Sequence, residues 1–333
     1  MPHSPDAKSS GPRSSDPQSL DPKFVRRGLF VVFVILILDI IGIAIIMPVL
    51  PAFLRELTGE DMSGAALDGG WLLVIYSAMQ FVFAPLLGNL SDRFGRRPIL
   101  LVSVFTFALD NLICAAATSF WMLVVGRLLA GISGGSFATC SAYIADVSND
   151  ENRARNFGLI GIAFGVGFTV GPVIGGLLGE LGPRVPFLGA GLLSMANFIA
   201  AWFLLPETLS KENRRAFDLK RANPLGALRQ MRHYPGIGWI MAVMFLYWLA
   251  HAVYPSAWAF VGTYRYGWSE GEIGLSLGLF GIVRPLSWPS CCRNWCRFWE
   301  SGRRRCSAWR FPASALPAMP LPGRAGLSMR SFC

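Results

Sequence analysis

Charge is what this chain has least of. Only 15% of its 333 residues are Asp, Glu, Lys or Arg, whereas 53% are hydrophobic. A soluble domain carries about 25% charge. Apolar runs recur along the chain with few charges inside them, the pattern of a polytopic membrane protein. Also missing are a zinc-spaced Cys/His cluster, a phosphate-binding loop and a Ser/His/Asp signature. The residues therefore support no enzyme, no resident metal and no cofactor. A net charge of +10 would suit nucleic acid. However, the basic residues lie mainly in the breaks between apolar runs and at the C-terminus, where Lys and Arg mark the cytoplasmic side of a membrane. The partner implied is the lipid bilayer, not nucleic acid.

What is present is a series of spans. Residues 1–25 are rich in Ser, Pro, Asp and Lys and read as a disordered cytoplasmic tail. The apolar run that follows is too long for a cleavable signal, and Lys23, Arg26 and Arg27 before it hold the N-terminus inside. Helices are expected over 28–50, 71–90, 99–117, 120–145, 157–178 and 186–205, a six-helix bundle within 26–206. The acidic loop 55–68 fits the outside, and the arginine-rich breaks at 88–98 and 146–156 fit the inside. In the first of these, Gly88 and Gly95 are expected to supply backbone freedom for a turn, with Asp92, Arg93, Arg96 and Arg97 crowded into it. A hydrophilic loop, 207–235, then divides the chain before two more runs, 237–254 and 273–283, within 236–285.

Beyond Arg284 the composition changes. Residues 286–333 contain no Val, Ile, Thr, Tyr or Lys, but eight arginines, one acid (Glu300) and five of the seven cysteines. One reading is a basic tail whose Cys291, Cys292 and Cys296 bind metal, although no His accompanies them. The preferred reading is an out-of-frame segment. Translation of the gene in its other two forward frames tests it: apolar helices should reappear after codon 284.

Three ionisable residues lie within apolar runs: Asp39, Asp110 and Arg127. Each costs about 2.5–3.5 kcal/mol at mid-bilayer even on lenient insertion scales. Asp110 is eight residues before Thr118 and Arg127 eight after Ser119. At about 1.5 Å per residue both lie roughly 12 Å from one external turn, a depth at which they can pair. Asp39 falls within a turn or two of that level, and Gln80 is the polar residue inside the second span. One reading is a cavity cluster with an aspartate that gains and loses a proton; the other is a static ion pair locking helices together. Small-residue stripes at Arg127, Gly131, Gly134 and Ala138, and at Gly167, Gly171 and Gly175 beside Pro172, suit close helix packing. Pro172 favours a kink.

Taken together, these motifs resemble the major facilitator superfamily. GNLSDRFGRRP, residues 88–98, matches its signature between helices 2 and 3 at Gly88, Asp92, Arg93, Gly95 and Arg96. LDIIGIAIIMPVLP, GRLLAGISGG and GVGFTVGPVIGG are similar to motifs of its drug/proton antiporters, and AYIADVSNDENRARNFG and FLLPET to its tetracycline-efflux branch. The resemblance implies an all-α fold of two six-helix halves, here one complete half plus the first two helices of the second. It implies export of a small drug in exchange for protons across the bacterial inner membrane, with the drug travelling as a divalent-cation complex in the tetracycline case. It assigns coupling and cavity roles to Asp39, Asp110, Arg127 and Gln80. Gly88, Asp92, Arg93, Gly95 and Arg96 become a cytoplasmic gate, and Gly167, Gly171, Pro172 and Gly175 the antiporter motif. A monomer is the favoured state. A multidrug exporter, an uptake symporter and a non-transporting fragment are the alternatives.

Overall fold

A computed structural model describes residues 22–217 and 237–281; the tail 1–21, part of the loop 207–235 and the segment 286–333 lie outside the described residues. All described residues belong to one compact unit, Met1–Arg284. Every regular element among them is helical. They are α1 (Pro22–Ala44), α2 (Leu50–Thr58), α3 (Met62–Phe94), α4 (Arg96–Ala115), α5 (Phe120–Ser133), α6 (Ser136–Asp146), α7 (Arg153–Gly179) and α8 (Val185–Leu204). A further helix, Ile237–Val261, runs into one π-helical turn, Gly262–Tyr266, and residues 270–281 are helical again. Among the described residues six stretches are long and apolar enough to cross a membrane: Lys23–Ala44, Met62–Phe94, Arg96–Ala115, Phe120–Asp146, Arg153–Gly179 and Val185–Leu204.

The helix ends differ from the expected ones, for local reasons. The first span stops at Ala44, not at residue 50. A proline ring clashes with the carbonyl four residues before it, and Pro48 places that limit at Ala44. The chain tightens through 45–49, with Val49 N donating to Ile46 O at 3.2 Å, and restarts as α2 with Pro51 in its first turn. The expected loop 55–68 is therefore partly helical. Asp61 caps α3, accepting from the Gly64 N–H at 2.9 Å and from Ser63 Oγ at 3.0 Å. These bonds hold its carboxyl below the usual carboxylate range. From that cap α3 continues for 33 residues, about 50 Å. The fourth span, expected as one helix, breaks at Gly134–Gly135. The helix that begins at Ile237 reaches Val261, beyond the expected end near 254.

The expected turn at 88–98 is a single residue. α3 ends at Phe94, α4 begins at Arg96, and Gly95 alone, with φ +110°, reverses the chain. Gly88 lies inside α3, and a Cβ there would meet nothing within 4 Å, so the conformational freedom belongs to Gly95 only.

α1 packs on α7, α4 on α8 and α5, and α3 on α5. Two apolar clusters fill the bundle. One, near the Gly95 end, includes Val32, Ile35, Leu100, Val104 and Tyr143; the other, at the opposite end, includes Val49, Phe53, Leu123 and Phe187. Large apolar side chains such as Trp121, Leu192 and Phe203 remain exposed on the outside, which suits a surface facing lipid rather than water. The 270–281 helix lies against α7, with Gly274 close to Gly176, and Trp258 Nε1 donates to Ser276 Oγ at 2.9 Å.

Candidate functional site

Asp110 and Arg127 meet in the bundle interior. The spans carrying them are joined by a short turn, so residues equidistant from it face each other. Arg127 Nη2 lies 3.0 Å from Asp110 Oδ2 and 3.1 Å from Oδ1. The aspartate side chain is fully buried and the arginine side chain is 17% exposed. Cys114, one helical turn beyond Asp110, completes the contact: its Sγ donates to Asp110 Oδ1 at 3.4 Å and accepts from Arg127 Nη2 at 3.7 Å. Ion pairing offsets part of the cost of burying two charges.

Asp39 stands apart from that pair. Its Oδ2 accepts from Ser136 Oγ at 3.0 Å, while its Oδ1 is buried with no hydrogen-bond partner among the described residues. Ser136 opens α6 directly after the Gly134–Gly135 break. The same break presents the Gly134 carbonyl, which accepts from Gln80 Nε2 at 3.3 Å. Tyr76 lies one turn before Gln80 on α3 and is half-buried. Asp110 and Arg127 are in direct contact, whereas no hydrogen bond or ion pair among the described residues joins Asp39 to them. The small residues of α5 admit α3 to this region: a Cβ on Gly131 would lie 2.7 Å from Tyr76 O.

At the Gly95 end, Arg96 is buried and gathers the signature residues. Its guanidinium bonds Asp92, Ser91 Oγ at 2.7 Å and Asp146 Oδ2 at 3.0 Å. Glu207, from the segment after α8, caps α4: Oε1 accepts from Arg96 N at 2.9 Å and Oε2 from Arg97 N at 3.2 Å. A carboxylate at a helix N-terminus satisfies orphan amides and suits the helix dipole. Arg93 is exposed, its guanidinium 5.2 Å from the Phe94 ring centre.

The α7 stripe packs on α1. Cβ atoms on Gly167, Gly171 and Gly175 would lie 2.8 Å from Ile40 Cβ, 2.7 Å from Ala44 Cβ and 2.7 Å from the Ile45 carbonyl carbon. Pro172 lies within α7 on the same buried side. These residues set how closely α1 and α7 approach.

Sequence reasoning did not select Ser136, Tyr76, Cys114, Asp146 or Glu207. Tyr76 and Cys114 were accessible in principle, each one helical turn from a selected residue. Asp146 and Glu207 act 50 and 111 residues from their partners, a separation no local pattern reports. Among the described residues no group of three His, Cys, Asp or Glu is placed to hold a metal ion.

The family profile of the Major Facilitator Superfamily matches residues 32–290. The tetracycline resistance protein, class C, of Escherichia coli is 42% identical over 259 residues, covering 78% of this chain and 65% of that protein. The class H protein of Pasteurella multocida is 36% identical over 263 residues, with 78% and 64% covered. The chain therefore spans just under two thirds of the length of these relatives. Among solved structures, the human organic anion transporter MFSD10 (TETRAN) aligns with a TM-score of 0.63 at 25% identity, over 79% of this chain and 70% of that one. A D-xylose–proton symporter shares the fold, with a TM-score of 0.60 at 16% identity over 78% of this chain and 66% of that one. The one-residue turn at Gly95, the buried Asp110–Arg127 pair and a family match over residues 32–290 agree: this chain is a membrane protein that belongs to the Major Facilitator Superfamily.

Proposed function

We propose that the chain exports a small drug-like solute, tetracycline or a close relative, in exchange for protons. It does so by alternating access across the bacterial inner membrane, with its N-terminus in the cytoplasm. The observation that carries this reading is the buried Asp110–Arg127 pair, with Asp39 and Gln80 both bonded at the Gly134–Ser136 break. Ionisable groups inside spans are costly and mark solute and proton paths. Asp39, with one oxygen unfilled, is the proton carrier. The Asp110–Arg127 pair fixes α4 against α5 and sets the field in which Asp39 works. Gly88, Asp92, Arg93, Gly95 and Arg96 form the cytoplasmic gate, and the close α1–α7 contact at Gly167, Gly171, Pro172 and Gly175 holds the two helices together as the bundle rocks. The similarity to tetracycline resistance proteins favours that branch over a general multidrug exporter. The drug then travels as a divalent-cation complex, the cation being cargo, and the unit is a monomer.

Everted vesicles containing the chain test this. Acidification of the lumen should drive tetracycline uptake, a protonophore should abolish it, and neutral replacements of Asp39, Asp110 and Arg127 should each reduce it. Undiminished uptake in all three variants overturns the reading.

The altered composition of 286–333 favours a second reading, a non-transporting fragment. Uptake by the 333-residue chain supports the transporter; uptake only after the alternative reading frame is restored supports the fragment.

A further inference from the structure

We infer that the outer groove between α4 and α8 at the Gly95 end holds an anionic phospholipid, its phosphate at Arg97 and Arg214 and its acyl chain along Phe105 and Phe198. The groove encloses about 530 Å³, within the range of small-ligand sites. It lies on the outside of the bundle, away from the buried polar set. Its wall is apolar and aromatic: Phe105 and Phe198 ring centres are 5.2 Å apart, and Phe198 and Trp202 5.9 Å. Val102, Phe105 and Trp202 are all exposed there. From Arg97 to Phe105 the wall runs eight residues along α4, about 12 Å, from the helix end into the membrane-facing surface.

The mouth is basic and under-satisfied. Arg97 and Arg214 both line the groove, and the Nε atoms of both are buried without a hydrogen-bond partner among the described residues. Arg97 is held in place by Nη2 donating to Trp202 O at 2.6 Å. Glu207 is the acid nearby, its Oε2 and Arg214 Nη2 both close to where a Cβ on Gly95 would lie. Glu207 spends its oxygens on four backbone amides, those of Arg96, Arg97, Thr208 and Leu209, and makes no ion pair within 4.0 Å among the described residues. Two guanidinium groups lining one groove match phosphate oxygens. An apolar channel leading from them into the bilayer matches an acyl chain, and basic pockets between membrane helices take anionic headgroups. Charge complementarity and the membrane-facing channel together select a lipid over a soluble phosphate.

The full chain, purified and delipidated in detergent, is titrated with phosphatidylglycerol or with phosphatidylcholine of the same chains, and bound lipid is counted by native mass spectrometry. One phosphatidylglycerol should be retained at least tenfold better than phosphatidylcholine. Replacing both arginines (Arg97→Gln with Arg214→Gln) should abolish that preference. Val102→Trp, at an exposed position, fills the channel with both arginines intact and should also expel the lipid. Equal retention of the two lipids, undiminished phosphatidylglycerol in either variant, or displacement by free glycerol phosphate at millimolar concentration overturns the inference.

Discussion

Arg127 Nη2 reaches Asp110 Oδ2 at 3.0 Å across the turn joining the third and fourth spans, with the carboxylate wholly buried. Removing one member of such a pair strands a charge, which costs about 3–5 kcal/mol, whereas removing both is far milder. Asp110→Asn and Arg127→Gln should each lower the unfolding temperature in detergent sharply, and the double variant should recover most of the loss. Additive losses in this double-mutant cycle would mean that the pair contributes nothing as a pair. Transport should stay impaired in the double variant, which separates the coupling role from the stabilising one.

Two faces of α7 carry glycines for different reasons. A Cβ on Gly175 would overlap the Ile45 backbone, whereas one on Gly158 would meet nothing within 4 Å. Backbone yields less readily than a side-chain tip, and overpacking costs about 1–3 kcal/mol. Gly175→Ala should therefore destabilise the protein and part α1 from α7. Gly158→Ala should be neutral or stabilising by about 0.5–1 kcal/mol, since glycine inside a helix is itself unfavourable. Thermal unfolding of both variants is the check, and equal effects would refute the α1–α7 contact.

The signature glycines should separate in the same way. Gly95 has φ +110°, and a Cβ there would lie 2.8 Å from the Glu207 carboxyl carbon. Gly95→Ala should disturb both the turn and the Glu207 cap on α4. Gly88→Ala, inside α3 with free space around it, should leave the fold intact. Limited proteolysis at the α3–α4 junction reads the difference: cleavage should rise in the first variant only.

The Asp61 cap gives a pH dependence of known sign. Its carboxyl is held below the usual carboxylate range by the Gly64 N–H and Ser63. A carboxylate whose folded value is depressed contributes stability above the unfolded value and loses it as pH falls through the folded one. The start of α3 should therefore fray below about pH 3.8, the unfolded value. Asp61→Asn, which caps without ionising, should remove that dependence. Resolved amide protection at Gly64 measures it.

How much of this was legible depended on distance along the chain. The positions of the spans follow from apolar runs, because hydropathy registers a bilayer about 30 Å thick. Helix ends do not follow, because hydropathy is silent about helix that leaves the bilayer. α3 extends about 50 Å, from the Asp61 cap to Phe94, and only its middle is greasy. The Asp110–Arg127 pairing was legible because both residues count from one turn. Asp39 was expected near that pair, and its actual partner, Ser136, was not foreseen. That bond depends on a break at Gly134–Gly135 inside a run that reads as a continuous helix. The Glu207 cap joins residues 111 apart, and nothing local in FLLPET announces it.

Asp39 and Ser136 provide the test closest to the proposed mechanism. The serine hydroxyl donates to Oδ2, and Oδ1 has no partner among the described residues. Asn at position 39 keeps the shape and an acceptor for Ser136 but cannot release a proton. Asp39→Asn should therefore fold with an unfolding temperature close to that of the unaltered chain while losing proton-driven uptake. Drug binding to the detergent-solubilised variant should no longer vary with pH. Ser136→Ala removes one hydrogen bond, worth about 0.5–1.5 kcal/mol, more when the acceptor is charged. It should shift the pH profile of binding without abolishing uptake. A structural role alone would move stability and leave that profile in place. If Asp39→Asn binds drug with the same pH dependence as the unaltered chain, the proton is carried elsewhere and the role assigned to Asp39 is wrong.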